Sequence, residues 1–155
     1  MKVVVKDPSH TLVLGSFTFA GSMTFAESPP TGTLTMSLLI RNNLTGEVFQ
    51  ADNYTIASTY EYDQTYVDVM LSGTFYHPAY GYVILSTPQA FRTYSGDTWP
   101  SSGIMEAEGK PTVFDGDPTR ARLTALSSST FTVQADFNGD GDYEWSSDVL
   151  HWEDF

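Results

Sequence analysis

The sequence predicts an all-β chain, an antiparallel meander closed as a β-barrel or barrel-like sandwich of about 8–11 strands. Three observations predict it. Apolar and polar residues alternate with period two along most of the chain, which suits strands with one face in a core and one in water. Turn-forming clusters recur at short intervals between these runs. No segment shows an apolar period of 3.6 sustained over three turns.

The elements follow in order. Lys2 to Lys6 is a short alternating stretch. From Val13 to Phe25 the odd positions include Val13, Phe17, Phe19, Met23 and Phe25, against Ser, Thr and Ala at the even positions from Ser16 to Thr24. This run contains "GSFTFA" and then "GSMTFA", an echo that does not extend. It reads as one long strand whose glycines allow a bend or bulge, and not as a solenoid repeat. Leu34, Met36, Leu38 and Ile40 alternate with Thr33, Thr35 and Ser37, and Val67, Val69, Leu71 and Phe75 alternate with Tyr66, Asp68, Ser72 and Thr74. Val83 with Leu85, and Phe131 with Val133 and Ala135, continue the pattern. The runs are rich in Thr, Tyr, Phe and Val, the residues that fit a pleated, half-buried surface. Between them stand "ESPPTG", "NNLTGE", "EYDQTY", "FYHPAYG", "YSGDTWPSSG" and "FDGDPT". A sheet of this length must close or fold into two layers to bury one face and hide its edges.

At 155 residues, with no linker, charge block or composition shift, residues 1–155 are expected to form one domain. Nineteen acidic against seven basic residues give a net charge of −12, which argues against nucleic acid and anionic membrane surfaces as partners. No apolar run approaches the roughly 18 residues of a helical membrane span. The absence of cysteine excludes disulfide and thiol chemistry without fixing a compartment. Met1 leads straight into Lys2–Lys6 with no signal peptide, so Met1 is expected to replace something removed, the chain being a piece of a longer exported protein.

The densest chemical signal is "ADFNGDGDYEW", residues 135–145. Asp136, Asn138 and Asp140 occupy positions 1, 3 and 5 of a D-x-N-x-D-G pattern with Gly141 at position 6. Ca²⁺ takes about six to eight oxygens at 2.3–2.6 Å, and alternate side chains of a tightly curled loop converge on one point. Glycine at position 6 permits the turn that brings the backbone oxygen of Asp142 there as well, and Glu144 at position 9 adds a carboxylate. A helical EF-hand expects an acid at position 12, where this chain has Ser147, and the flanks read as strands. Asp148 is a further candidate. The expected metal set is Asp136, Asn138, Asp140, Asp142 and Glu144, holding a structural Ca²⁺. "NGDG" is also sound hairpin chemistry on its own. A bare turn, however, needs one Asn-Gly or Asp-Gly and not four carboxylates, and no Lys or Arg follows Arg122 in the sequence to offset them. All-oxygen ligands favour Ca²⁺ over Zn²⁺, and their number favours it over Mg²⁺.

Other chemistry is thinner. His10, His77 and His151 lie in separate segments without ligand spacing and read as surface or turn residues. No nucleophile, zincin or phosphate-loop motif occurs. Glu106 with Glu108, or Asp68 with Glu61, are the carboxylate pairs that a glycosidase reading would need, yet these are ordinary outward positions of strands. No catalytic residue is expected. Tyr54, Tyr60 and Tyr62 share a strand face, as Tyr76, Tyr80 and Tyr82 do in part, and Trp99 stands in "TWPSSG". Exposed aromatic rows stack on sugar rings, so a carbohydrate-binding module is the competing reading.

"HPAYGYVILSTPQAF", "SGDTWPSSG", "RARLTAL", "DFNGDGDYE" and "LHWEDF" resemble the C-terminal β-rich region of uncharacterised lipoproteins exported by Gram-negative bacteria, over roughly residues 15–155. The loop is similar to the DxNxDGxxE calcium loops of extracellular β-proteins. The resemblance implies a periplasmic, outer-membrane-anchored or secreted location. It also implies a lipidated cysteine that would lie upstream of Met1, so that any membrane attachment runs through an anchor outside this sequence. It implies no known activity. The expectation is a non-catalytic, calcium-stabilised β domain with a structural or interaction role and an unidentified protein or glycan partner.

Overall fold

A computed structural model describes residues 2–6, 9, 13–27, 30–61, 65–79, 81–109 and 118–154. His10, Tyr62, Tyr80 and most of "FDGDPT" lie outside the described residues. The strands are β1 (Lys2–Lys6), β2 (Val13–Glu27), β3 (Pro30–Asn42), β4 (Val48–Glu61), β5 (Tyr66–His77) and β6 (Gly81–Tyr94), then β7 (Ser102–Gly109), β8 (Arg120–Ser127), β9 (Thr130–Asp136), β10 (Trp145–Ser146) and β11 (Leu150–His151). A 3₁₀ turn, Trp152–Asp154, follows. All pairings are antiparallel, and neighbours in sequence are neighbours in the sheet from β1 to β10, with β11 pairing β9 beside β10. The meander predicted by period two is therefore the observed topology.

Closure is not observed: β1 and β10 stand at opposite ends of one open path. The expected barrel is corrected on this point. The reason lies at the C-terminus, where the outer edge of β9 is taken by the chain itself. Trp145 and Ser146 pair with Ala135 and Gln134, and Leu150 and His151 pair with Phe131 and Thr130. Ser147 bridges the interruption, its N–H donating to the Val133 carbonyl at 2.8 Å and its Oγ accepting from the Val133 N–H at 2.9 Å. β10 and β11 thus act as one broken edge strand, a short edge of the kind that discourages further pairing.

Register assigns the two faces. Phe19 pairs with Leu38, Leu38 with Ala51, Ala51 with Phe75 and Phe75 with Val83, an apolar row across β2–β6. Ser16, Thr18, Ser22 and Thr24 line the opposite face of β2, and Arg41, Leu39, Thr35 and Thr33 face them across β3. β2 keeps unbroken register with β3 from Gly15 to Glu27, so the glycines of the repeated hexapeptide introduce no bulge there. The register shifts lie elsewhere, at Asp52/Thr55, Val69/Gly73 and Ser86/Gln89 among others. Gly103 is forced by packing: at φ 139° a Cβ there would meet the Phe91 ring at 2.5 Å.

Burial is sparse. Among the described residues the buried apolar side chains are Ala51, Tyr66, Phe91, Ala125 and Phe131. Phe131 is the most enclosed, with its ring stacked on Trp152 at 4.2 Å, and Trp152 stacks in turn on Trp99 at 5.9 Å. The Trp152 indole N–H donates to the Ser127 carbonyl at 3.2 Å, so the ring is fixed at its polar end as well. This stack ties the C-terminal turn, β9 and the β6–β7 loop together.

The polar face carries its arginines directly opposite acids. Arg92 makes a two-pronged ion pair with Asp68 (2.8 and 2.7 Å) while its guanidinium lies 3.7 Å over the Tyr66 ring. Arg122 pairs with Glu106 at 2.6 Å and Arg120 with Glu108 at 3.3 Å. The hydrogen bonding that Arg92 donates to the Asp68 carboxylate is the main reason the arginine's pKa is raised above its ordinary value. The only helical segment among the described residues is the 3₁₀ turn, so far-UV circular dichroism is expected to give a β spectrum. Helix should fall below about 20 per cent, well under the 30–35 per cent of an average globular protein; a value at that average would contradict the fold.

Candidate metal centre

The acidic loop begins where β9 ends. Asp136 is the last ladder residue, opposite Arg120 of β8, and it is 1% exposed. A buried carboxylate must be hydrogen-bonded, and the loop supplies the donors. The Gly139 N–H reaches Asp136 Oδ1 at 2.6 Å and the Gly141 N–H reaches Oδ2 at 3.1 Å. Both glycines adopt φ values, 81° and 94°, that L side chains rarely tolerate. That left-handed backbone turns successive N–H groups inward, so the spacing D-x-x-G-x-G curls the loop around the Asp136 carboxylate.

The remaining acids close the ring. The Asn138 carboxamide accepts from the Asp140 N–H at 2.9 Å and donates to Asp140 Oδ2 at 3.0 Å. Asp140 Oδ1 accepts from the Asp142 N–H at 2.9 Å. Glu144 reaches back across the loop, accepting from the Phe137 N–H at 2.8 Å. As a result Asp136, Asp140 and Glu144 each place one carboxylate oxygen within 4.8 Å of the others. Oxygens bound to one Ca²⁺ at about 2.3–2.6 Å can be no more than about 5 Å apart. These three carboxylates are close enough together to hold a metal ion.

The cost of that closeness bounds the alternatives. Two carboxylates about 4.8 Å apart repel by about 1 kcal/mol in water and about 3.5 kcal/mol at an effective dielectric near 20. Asp140 and Glu144 are exposed, which places them nearer the first figure. Backbone donors and the β8 arginines offset part of it. The sequence alone shows no base after Arg122, but antiparallel pairing sets Arg120 opposite Asp136. Arg122 lies 4.5 Å over the Tyr143 ring. Burial, against the opposing field of Arg122, raises the Tyr143 phenol above its ordinary pKa. The loop is thereby pinned to the polar face by Tyr143.

Of the five expected ligands, three are brought together as carboxylates. Asn138 sits beside them with its amide engaged on Asp140, and Asp142 is exposed with its carboxylate outside the group. Asp148 is exposed and also outside it. Ser147, at the EF-hand's twelfth position, uses its hydroxyl on the Val133 N–H.

The other candidates separate on inspection. Glu106, Glu108 and Asp68 are each held by an arginine across the strand. The side chain of Glu61 lies outside the described residues. Trp99 is the outer ring of the Trp152 stack, and Tyr54 packs edge-on against Phe75 at 5.2 Å. His77 packs edge-on against Phe49 at 5.0 Å, and its Nδ1 accepts from the Ala79 N–H. His151 is exposed in β11. Compared with known proteins, the chain matches no family model, no curated protein and no solved structure.

Proposed function

We propose that this chain is a non-catalytic β domain of an exported bacterial protein, stabilised by one Ca²⁺ and serving a structural or interaction role outside the cytoplasm. The observation that carries the reading is the convergence of Asp136, Asp140 and Glu144 within 4.8 Å in a loop curled by two left-handed glycines. Calcium is favoured over magnesium because a flexible, all-oxygen loop of mixed carboxylate and backbone donors suits its longer bonds and irregular shell. Extracellular modules bind calcium with dissociation constants of about 10⁻⁴–10⁻³ M, which matches calcium levels outside the cytoplasm. The non-catalytic part is supported by the arginine partners of Glu106, Glu108 and Asp68, which engage each of these groups across the strand.

The test is thermal. A ligand that binds only the folded state adds RT ln(1 + [Ca²⁺]/Kd), about 2.7 kcal/mol at 100-fold excess over Kd. For a domain of this size that amounts to a rise of about 5–10 °C in Tm. Excess EDTA is expected to lower the Tm by this amount, and Ca²⁺ should restore it better than Mg²⁺. Identical curves with EDTA and with calcium would remove the support for the metal.

A further inference from the structure

The sheet is one layer deep along its described path, yet one of its faces is apolar. Cross-strand rows run Phe17–Ile40–Phe49 and Phe19–Leu38–Ala51–Phe75–Val83 on that face. At its far corner Met23 and Phe25 are 57% and 78% exposed. A monomer of 17.1 kDa ordinarily exposes about 7,800 Å². This chain exposes 10138 Å², an excess of about 2,300 Å² over that scaling. A standard interface covers about 800 Å² of each partner, and obligate homodimers cover about 1,000–2,500 Å². Summed over both faces and the loops, the excess is large enough to include an obligate interface on the apolar face.

We propose that a second copy of this chain covers the face, the two sheets packing apolar side to apolar side as a sandwich. The face carries the shape that a self-complementary contact needs. Ala51 and Gly81, small residues among Leu38, Phe49, Phe75 and Val83, leave a hollow of about 450 Å³. The knob is Phe25, which lies over Gly32 and projects at the opposite end of the strands, since Phe25 pairs with Gly32 whereas Phe17 pairs with Ile40 at the hollow end. A two-fold axis running across the strands brings the Phe25 end of one copy towards the hollow of the other, and the reverse. This is the isologous pattern in which residue i meets j and j meets i. Charge permits it despite a net −12 on each chain. The ion pairs of Asp68, Glu106 and Glu108 lie on the opposite face, and the apolar rows contain no acid. Two apolar inner faces about 10 Å apart form the usual core of a β-sandwich, so the second layer comes from a partner copy and not from closure of one chain. The inference does not depend on the calcium reading.

Sedimentation velocity on the full chain, with calcium and with EDTA, tests it. The expected result is a dimer of twice 17.1 kDa in both conditions, persisting to about 1 µM or below, as an obligate interface implies. Phe25→Lys is expected to weaken association at least about tenfold, since an exposed aromatic knob is the kind of residue on which interfaces depend. Ile84→Lys, equally non-conservative but on the polar face beside Glu108, is expected to leave it unchanged. Because the chain has no cysteine, Phe25→Cys and Ile40→Cys, the latter in the wall of the hollow beside β2, can be mixed and oxidised. Disulfide-linked heterodimer should form in preference to either homodimer. The proposal is overturned by a monomer at about 100 µM, whatever else then covers the face. It is also overturned if Ile84→Lys dissociates the dimer while a folded Phe25→Lys does not, or if the cysteine pair fails to cross-link within a dimer.

Discussion

Phe131→Ala is expected to lower the unfolding free energy by about 3–5 kcal/mol, the range for truncating a buried aromatic. Phe131 is 1% exposed, sits near the start of β9, and supports the Trp152 ring on which Trp99 rests. Its loss opens a cavity and also removes the ring against which the C-terminal turn packs. Among the described residues few other side chains are buried, so there is little core elsewhere to absorb the change. In urea the midpoint should fall with the slope unchanged, and Tm should drop on the order of 10 °C. Phe137→Ala is the comparison, because that ring is 65% exposed and should cost less than about 0.5 kcal/mol. Equal effects at the two positions would show that the aromatic stack is not the anchor described.

The second large effect belongs to Asp136, and it has two separable parts. Without metal, Asp136→Ala removes the acceptor of the Gly139 and Gly141 N–H groups. Gly139 is buried, and leaving a buried donor unmet costs about 1–3 kcal/mol, so destabilisation should be visible in EDTA alone. With calcium present, the variant should also lose the further gain of about 2.7 kcal/mol seen at 100-fold excess over Kd. Asp140→Ala separates the parts. Its carboxylate is exposed and accepts from Asn138 and Asp142 at the loop surface, so it should cost little in EDTA while abolishing the calcium response. Asp142→Ala should do little in either condition, since that residue is expected to contribute through its backbone oxygen. If Asp140→Ala keeps a full calcium response, the ligand set named here is wrong.

These residues also show what could be read from the sequence. The strands and their faces were legible because period two is a local signal: Phe17, Phe19, Met23 and Phe25 announce a face wherever the strand ends up. The acidic loop was legible because its ligands are neighbours in the chain. What the sequence hid was non-local. Arg120 lies 16 residues before Asp136 in the sequence yet stands opposite it across the ladder. The arginine partners of Glu106 and Asp68 were likewise invisible until register was known. The expected closure failed for the same kind of reason. A meander pattern records that strands pair with their neighbours, but not whether the first meets the last. That outcome turns on a two-residue strand, an interrupting Ser147 and a second two-residue strand, none of which alternates long enough to be noticed. The stacking of Trp99 on Trp152 was hidden as well, because the partner ring comes 53 residues later.

Calorimetric titration of the metal-stripped chain with Ca²⁺ shows whether the loop from Asp136 to Glu144 holds calcium. Saturable binding of one Ca²⁺ per chain is expected in or below the millimolar range of extracellular modules, with weaker binding of Mg²⁺ and no binding by Asp140→Ala. Absence of saturable heat at millimolar calcium, together with an unchanged melting curve and no calcium by elemental analysis, would show the loop to be an acidic turn held by its own backbone.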